Sequence, residues 1–515
     1  MLSDTGRMLI KCGFQPESSS TVHTPFYRRI FPLTPQLLGG IGLTLVTISL
    51  LALTPPKSQA EIDLPDLGDT SSVMISPLQE KILGQRWLRA FRSQVPTSSD
   101  PLLIDYLEQL FDRLLPYSQL DEKRLDLVVV ENNTLNAFAV PGNVIGVHTG
   151  LLMYAKTENQ LAAVLSHELG HLSQRHYARR LEQQKKMMVP MLAGMLAGLV
   201  LAANSSSDAG MATIMGTQAA AQQASLAFSR QNEQEADRIG LQTMVQAGLD
   251  PHAAADMFEE MVRANRLNRR PPEYLLTHPV SETRVADARN RAQQYPRKQA
   301  EDDLEFQLMR SRIRVNAAET PQIAARMFKS ELDKDSAHPD ASRYGWALAL
   351  MEASQFDAAR DALTPLLEKE PNRVTYQIMR ADIEIAAERY KAGLEILDNQ
   401  LQLHPDSYPL IIRHAEALMK AGLYQQCANI LDRYSRKRKK DDYVWYLLAE
   451  VNGLAGNILG VHEARAEYFI LNGVYDRAQI QLRNALKLTQ GNTYRTALLE
   501  ERLKYVEAQM RNEGF

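Results

Sequence analysis

Cysteine is nearly absent from this chain. Cys12 and Cys427 are the only two in 515 residues, too few for a disulfide framework. If the N-terminus is removed, only Cys427 remains, and it reads as a small packing residue. An excess of one charge sign is lacking as well. The 58 Lys and Arg nearly balance the 61 Asp and Glu, for a net charge of −3. The strong basic surplus that marks many nucleic-acid binders is missing, and no nucleic acid is expected as a partner. With 45% hydrophobic and 23% charged residues, the rest is an ordinary globular composition, long enough for roughly two or three domains.

Two stretches lack charge altogether. The first runs from Leu37 to Leu53, behind Arg28-Arg29 and ahead of Pro55-Pro56, with Ser58-Gln59-Ala60 following as a small-x-small site. Positive flank, apolar run and small-residue site are the layout of a secretory signal. Cleavage ahead of Glu61 is expected; an uncleaved anchor is the alternative, since the run is just long enough to span a bilayer. Either way the rest of the chain is expected to face away from the cytoplasm. The second stretch, Met187 to Ala203, is rich in Met, Leu and Gly, and a small-residue run from Ala209 to Ala227 follows it. Two readings stand: a hairpin that touches membrane or substrate at the surface, or a buried hairpin over the active site. An exposed Met-rich surface would adapt to unfolded clients.

The chemistry concentrates in Leu165-Ser166-His167-Glu168-Leu169-Gly170-His171. Two His four residues apart share one helix face, and their imidazoles can bind one zinc ion. Glu168 follows the first of them, where its carboxylate can act as general base on an activated water. The setting is helical: Thr157 to Gln160 reads as a capping box, and Leu161, Val164, Leu165, Leu169 and Leu172 give an apolar stripe. The His pair lies in that stripe and points inward. Two core histidines satisfied by hydrogen bonds are the alternative, but burying them beside a glutamate is expensive without a metal.

Ahead of this helix the pattern is helical from Glu61 to about Asp121, with Leu83, Trp87, Leu88 and Phe91, then Tyr106, Leu107, Leu110 and Leu114. Leu125 to Val130 reads as a strand. Asn136 to Val147 reads as a hairpin turning at Pro141-Gly142. Its second arm, Val144, Ile145, Gly146 and Val147, is the candidate edge strand for pairing with an extended substrate; a plain supporting hairpin fits equally well.

Zinc held by two His needs a third protein ligand. Ser229 to Asp237 offers Glu233, with Asp237 one turn on to orient a His ring. Glu235 is the rival, rotated to the far side of the helix, and a solvated charged face is the bland alternative.

The C-terminal part repeats. Ala347, Ala381, Ala415 and Ala449 recur at one interval, as do Phe356, Tyr390 and Tyr424, and Leu363, Leu397 and Leu431. The interval is the roughly 34-residue tetratricopeptide period, each unit a helix-turn-helix. The register slips at Ser435 to Lys440, a basic run expected to be a solvated loop. Solenoids of this kind offer a concave peptide-binding face.

Together, His167-Glu168-x-x-His171, Asn232 to Asp237, Asn136 to Gly142 and Gly150-Leu151-Leu152 resemble the HtpX/CAAX-protease family of gluzincin metallopeptidases, over roughly Asp121 to Ala292. The similarity is strongest to its periplasmic branch with C-terminal helical repeats. The resemblance implies His167, His171 and Glu233 as zinc ligands, one Zn²⁺ per chain and Glu168 as the catalytic base. It also makes His278 a fourth, regulatory ligand capping the zinc in a resting state. Asp237 and Arg284 would support the ligands; His176 and Arg175 read as structural. The expected fold is mainly α with a small β-sheet: a signal or anchor over 1–60, a metallopeptidase domain over 61–300 and a tetratricopeptide solenoid over 301–515. The expected activity is zinc-dependent endoproteolysis in the periplasm. The implied clients are unfolded or misassembled outer-membrane proteins, with chaperone-like help to β-barrel assembly and docking on the assembly machinery through the solenoid. A non-proteolytic adapter with a capped metal site is the competing reading, and contact with a membrane surface is a further expectation.

Overall fold

The computed structural model describes residues 75–204, 207–267, 272–298, 303–489 and 491–512. The expected signal or anchor lies outside the described residues. Among the described residues the regular structure is helical apart from one small sheet and an isolated bridge.

Helix α1 (Pro77–Gln94) starts with a capping box, Ser76 and Gln79 each bonding the other's backbone. Helix α2 (Pro101–Leu114) starts on the Asp100 side chain and buries Leu103, Tyr106, Leu107, Leu110 and Leu114. Strands β1 (Asp126–Val130), β2 (Ala137–Val140) and β3 (Val144–His148) follow. The hairpin between β2 and β3 turns through Gly142 and Asn143, both at positive φ (79° and 63°), which Gly and Asn tolerate best. The turn seats on α1, where a Cβ on Gly84 would lie 1.9 Å from the Pro141 carbonyl oxygen.

The strand order is β1-β3-β2, and this corrects one expectation. Strand β3 runs parallel to β1 and antiparallel to β2, so Val144, Ile145, Gly146 and Val147 are paired on both sides. All of β3 is buried, and it has no edge to offer a substrate. The run Val-Ile-Gly-Val is apolar because it is central and covered on both faces. Among the described residues β2 pairs with β3 alone.

Helices α3 (Thr149–Tyr154) and α4 (Glu158–Ser173) lead to the candidate site. Thr157 caps α4 by accepting from the Gln160 amide, but the Gln160 side chain reaches back to the Lys156 amide, not to Thr157. Helices α5 (His176–Asn204) and α6 (Ser207–Gln246) form the expected hairpin. They approach closely where Gly194 faces Thr217. The hairpin is not buried over the site: Val189 is 73% exposed, Leu196 62% and Met215 64%. No helix among the described residues is long and apolar enough to cross a membrane. Helices α7 (His252–Leu267), α8 (Glu273–Thr277) and α9 (Glu282–Ala292) close the lower part of the site.

From α10 (Leu304–Ala317) onward the chain is paired helices. Helix starts at Pro339, Val374, Tyr408 and Asp442 follow the repeat, and Ala347, Ala381, Ala415 and Ala449 are all buried between helices. The helices Leu304–Ala317 and Tyr408–Lys420 face back onto α2. Arg312 grips Asp100 through Nε at 2.8 Å and Nη2 at 2.7 Å, and Arg413 approaches the same carboxylate at 3.6 Å. The basic run is not the expected solvated loop: Ser435 to Lys437 end the helix Tyr424–Lys437 with Ser435 buried, Arg438 forks onto Glu108 at 2.6 and 3.0 Å, and Lys440 bonds Asp126 of β1 at 2.8 and 2.9 Å. Cys427 is a packed residue, its thiol donating to the Ala415 carbonyl at 3.1 Å.

Candidate metal centre

The centre is built where α4 crosses α6, and glycine sets their separation. A Cβ on Gly170 would sit 2.9 Å from the Ala236 carbonyl oxygen, and one on Gly240 would sit 2.9 Å from the His167 amide nitrogen. Real Cβ contacts that short do not occur, so only glycine lets the two backbones meet this closely. The crossing brings Glu233 of α6 opposite His167 and His171, and the loop after α8 adds His278. One donor atom from each of these four residues lies within 4.8 Å of the others.

The spacing suits a metal. His167 Nε2 lies 2.9 Å from His171 Nε2 and 3.5 Å from His278 Nδ1. Glu233 oxygens lie 3.5 Å from His167 Nε2, 3.4 Å from His171 Nε2 and 3.2 Å from His278 Nδ1. Ligands at zinc bond lengths in a tetrahedron are separated by about 3.3 Å. The hydrogen-bond accounting agrees. His167 Nδ1 lies 2.9 Å from Asp237 Oδ1, close but not aligned as a full hydrogen bond; the carboxylate draws the ring proton to Nδ1, which leaves a lone pair on Nε2 for a ligand atom. Three histidines and a carboxylate form a donor set that zinc takes readily.

Electrostatics polarise the group. Burial opposes charge on His167, but its bonds to Asp237 and Glu233 outweigh burial and raise its pKa to about 9. His171 is driven well down, first by burial and then by the neighbouring rings. Burial would raise Glu233, yet its bonds to His167 and His278 hold it far below the usual carboxylate range. Without a metal the pattern is an ionised Glu233 paired with a protonated His167; a bound cation would take the place of that proton. Asp237 is in turn forked by Arg284, whose guanidinium also donates to the Pro279 carbonyl at 2.8 Å. Arg284 thereby ties the loop carrying His278 to the carboxylate that orients His167.

Glu168 stands apart from the four donors and is 1% exposed. Neither of its oxygens has a hydrogen-bond partner among the described residues. Burial raises its pKa, partly opposed by His278 and His167. Tyr274 lies beside it without closing a full hydrogen bond and stacks on His278 with ring centroids 4.6 Å apart. His278 Nε2 is 3.8 Å from Glu168. A buried, unsatisfied carboxylate next to an imidazole cluster is costly unless something binds between them.

In sequence, His176 reads as structural and Glu235 as a rival ligand; neither reading shows that the two sit together behind His171. His176 Nδ1 lies 2.8 Å from His171 Nδ1, and its Nε2 lies 3.3 Å from Glu235. In an unbroken helix a residue five positions on points to a different face. Here α4 ends at Ser173 and Arg175 takes a positive φ of 53°, which re-aims His176. No periodicity in the sequence signals that break. Glu235 is not a rival for the cluster; it reaches around the helix to His176. The other expected site residues, Val144 to Val147, stay in the sheet.

The peptidase family M48 model matches residues 101–292, and a tetratricopeptide repeat model matches residues 384–451. The chain is 34% identical over 445 residues to the beta-barrel assembly-enhancing protease of Escherichia coli (strain K12), covering 86% of this chain and 91% of that one. It is 32% identical over 419 residues to the putative beta-barrel assembly-enhancing protease of Vibrio cholerae, covering 81% and 86%. To the mitochondrial metalloendopeptidase OMA1 of Schizosaccharomyces pombe it is 32% identical over 188 residues, covering 35% of this chain and 50% of that one. The similarity runs through both the cluster-bearing region and the repeats, and the chain belongs to peptidase family M48 as a metallopeptidase with tetratricopeptide repeats.

Proposed function

We propose that the protein is a periplasmic zinc endopeptidase acting on misfolded or misassembled outer-membrane proteins, with chaperone-like help to their assembly. The client class is taken from its relatives' names, beta-barrel assembly-enhancing protease. The peptidase part would span about 61–300 and the solenoid 301–515. His167, His171 and Glu233 would hold one zinc ion and His278 would complete the resting set. When bound, zinc supplies a Lewis acid that polarises the scissile carbonyl and acidifies water. Glu168 would take the proton of the attacking water and pass it to the leaving amine nitrogen.

The observation that carries this reading is the isolated Glu168 carboxylate, which a purely structural metal site does not need. The substrate's place is the outer edge of β2. His148 donates to the Asn136 carbonyl, so in the alternating antiparallel pattern the backbone groups of Ala137 and Ala139 point away from β3. Ala137 is fully buried, so an extended peptide could pair only at the half-buried Ala139 end of the strand. His278 must leave the cluster before that peptide's carbonyl can enter.

The same capping by His278 favours a second reading, a non-proteolytic adapter that works through its solenoid, docked on the assembly machinery or a membrane surface. Zinc content and cleavage of an unfolded β-barrel polypeptide decide between the two. The protease reading expects zinc in the wild type, Glu168→Gln and His278→Ala, no cleavage by the Glu168 variant and faster cleavage by the His278 variant. Zinc in all three with cleavage by none establishes the adapter.

A further inference from the structure

We infer that His176 and Glu235 hold the His171 ring in the one tautomer and orientation that can ligate a divalent metal. The inference rests on the zinc reading above and adds positioning residues to it.

The argument is a count of protons. His171 presents Nε2 to the cluster, 2.9 Å from His167 Nε2 and 3.4 Å from Glu233. To ligate, that nitrogen must carry a lone pair, so the ring proton sits on Nδ1. Among the described residues, His171 Nδ1 has one hydrogen-bond partner, His176 Nδ1 at 2.8 Å. Two ring nitrogens at that distance share a single proton. If His171 donates, His176 must accept at Nδ1 and carry its own proton on Nε2. That Nε2 is directed at Glu235 Oε2, 3.3 Å away, an acceptor that can take it. Arg179 Nη1 holds the same oxygen at 2.8 Å. Each proton therefore has one place, and the order runs from Glu235 through His176 to a free lone pair on His171. The reverse assignment, with His176 donating, would put the His171 proton on Nε2 and spoil the ligand.

Geometry makes the device rigid. The His176 ring is 2% exposed and meets His171 at an interplanar angle of 77° with centroids 4.8 Å apart. It is the first residue of α5, so the relay also fixes how the hairpin leaves the site. The two ligand histidines are thus supported differently: His167 by a carboxylate directly, His171 by a carboxylate acting through a second imidazole.

The test uses the full chain, stripped of metal and reloaded with zinc or cobalt. Zinc affinity is measured by chelator competition, and the cobalt absorption spectrum reports ligand geometry; neither readout needs activity. His176→Phe keeps the ring and removes the acceptor. His176→Asn restores an acceptor at the δ position. Glu235→Ala removes the far end. We expect His176→Phe to weaken zinc binding about 10- to 100-fold and to alter the cobalt spectrum, Glu235→Ala to weaken it less, and His176→Asn to recover most of the loss. Binding by His176→Phe within about twofold of wild type overturns the inference, as does equal loss in the Asn and Phe variants. If His176→Phe does not fold, the folded Glu235→Ala chain decides: unchanged affinity and spectrum overturn the relay. A wild-type chain that takes up no zinc removes the metal reading itself, which is a distinguishable failure.

Discussion

Arg284 forks Asp237, with Nε 2.7 Å from Oδ2 and Nη2 2.7 Å from Oδ1, while Asp237 Oδ1 also meets His167 Nδ1 at 2.9 Å. One buried carboxylate is therefore shared between a guanidinium and a histidine of the cluster.

Removing the guanidinium leaves that acid without its main countercharge. Breaking a buried pair from one side costs about 3–5 kcal/mol. Arg284→Met is expected to lower stability by that margin, with a lower melting temperature, and to weaken metal binding. Arg284→Lys keeps the charge but cannot fork, and should recover only part of the loss. Thermal melts of the two variants beside wild type give the answer; equal stability in all three would refute it.

Glu168→Gln keeps shape and removes the base. Zinc binding should stay near the wild-type value while turnover falls by about 10²–10⁴. Steady-state cleavage with metal analysis on the same samples checks this, and a variant retaining a large share of wild-type turnover would disprove the assignment.

Gly240→Ala forces a methyl against the His167 backbone. The methyl would sit 2.9 Å from the amide nitrogen, so α4 and α6 must separate. A strained small-to-large change of this kind costs about 1–3 kcal/mol. The expected result is lower stability together with looser zinc binding, because the crossing carries three of the four donors. Gly422→Ala is a contrasting control: that position is open, and its positive φ of 76° makes any cost a backbone one with no effect on zinc.

Asp105 supplies a pH signature away from the metal. Burial first, and then repulsion by Glu108, outweigh the Gln109 hydrogen bond and raise its pKa from 3.8 to about 6. A carboxyl with a raised folded pKa binds its proton more tightly when folded. Its stabilising contribution is full below the unfolded value near 4 and is lost as pH rises through about 6. Asp105→Asn should therefore stabilise the chain above pH 6 by about 1 kcal/mol after allowance for solvent screening, and change little below pH 4. Denaturant melts at the two pH values test the sign.

Much of this was legible in the sequence because it lay in fixed spacings. His167 and His171 sit one helical turn apart, as do Glu233 and Asp237, and Ala347 to Ala449 mark the solenoid. What stayed hidden depends on how elements pair. The run Val144 to Val147 looks the same as an edge or as a centre until β1 is seen to join it in parallel. His176 depends on the turn at Arg175, and Arg438 and Lys440 read as a loose loop until Glu108 and Asp126 arrive from far along the chain. Periodicity reports one element at a time; these features need two.

The grip of the solenoid on α2 determines whether the molecule can be shortened. Asp100 is half-buried and kept below the usual carboxylate range because, although desolvation opposes its charge, Arg312 and Arg413 outweigh it. Its neighbours Leu102, Leu103 and Leu107 share one apolar core with Phe306, Tyr344 and Ile378 of the later helices. A chain cut near residue 300 would expose one side of that core and strand an acid without its cations. The repeats are thus part of the wall of the peptidase, and severing them trades a folded enzyme for two incomplete halves.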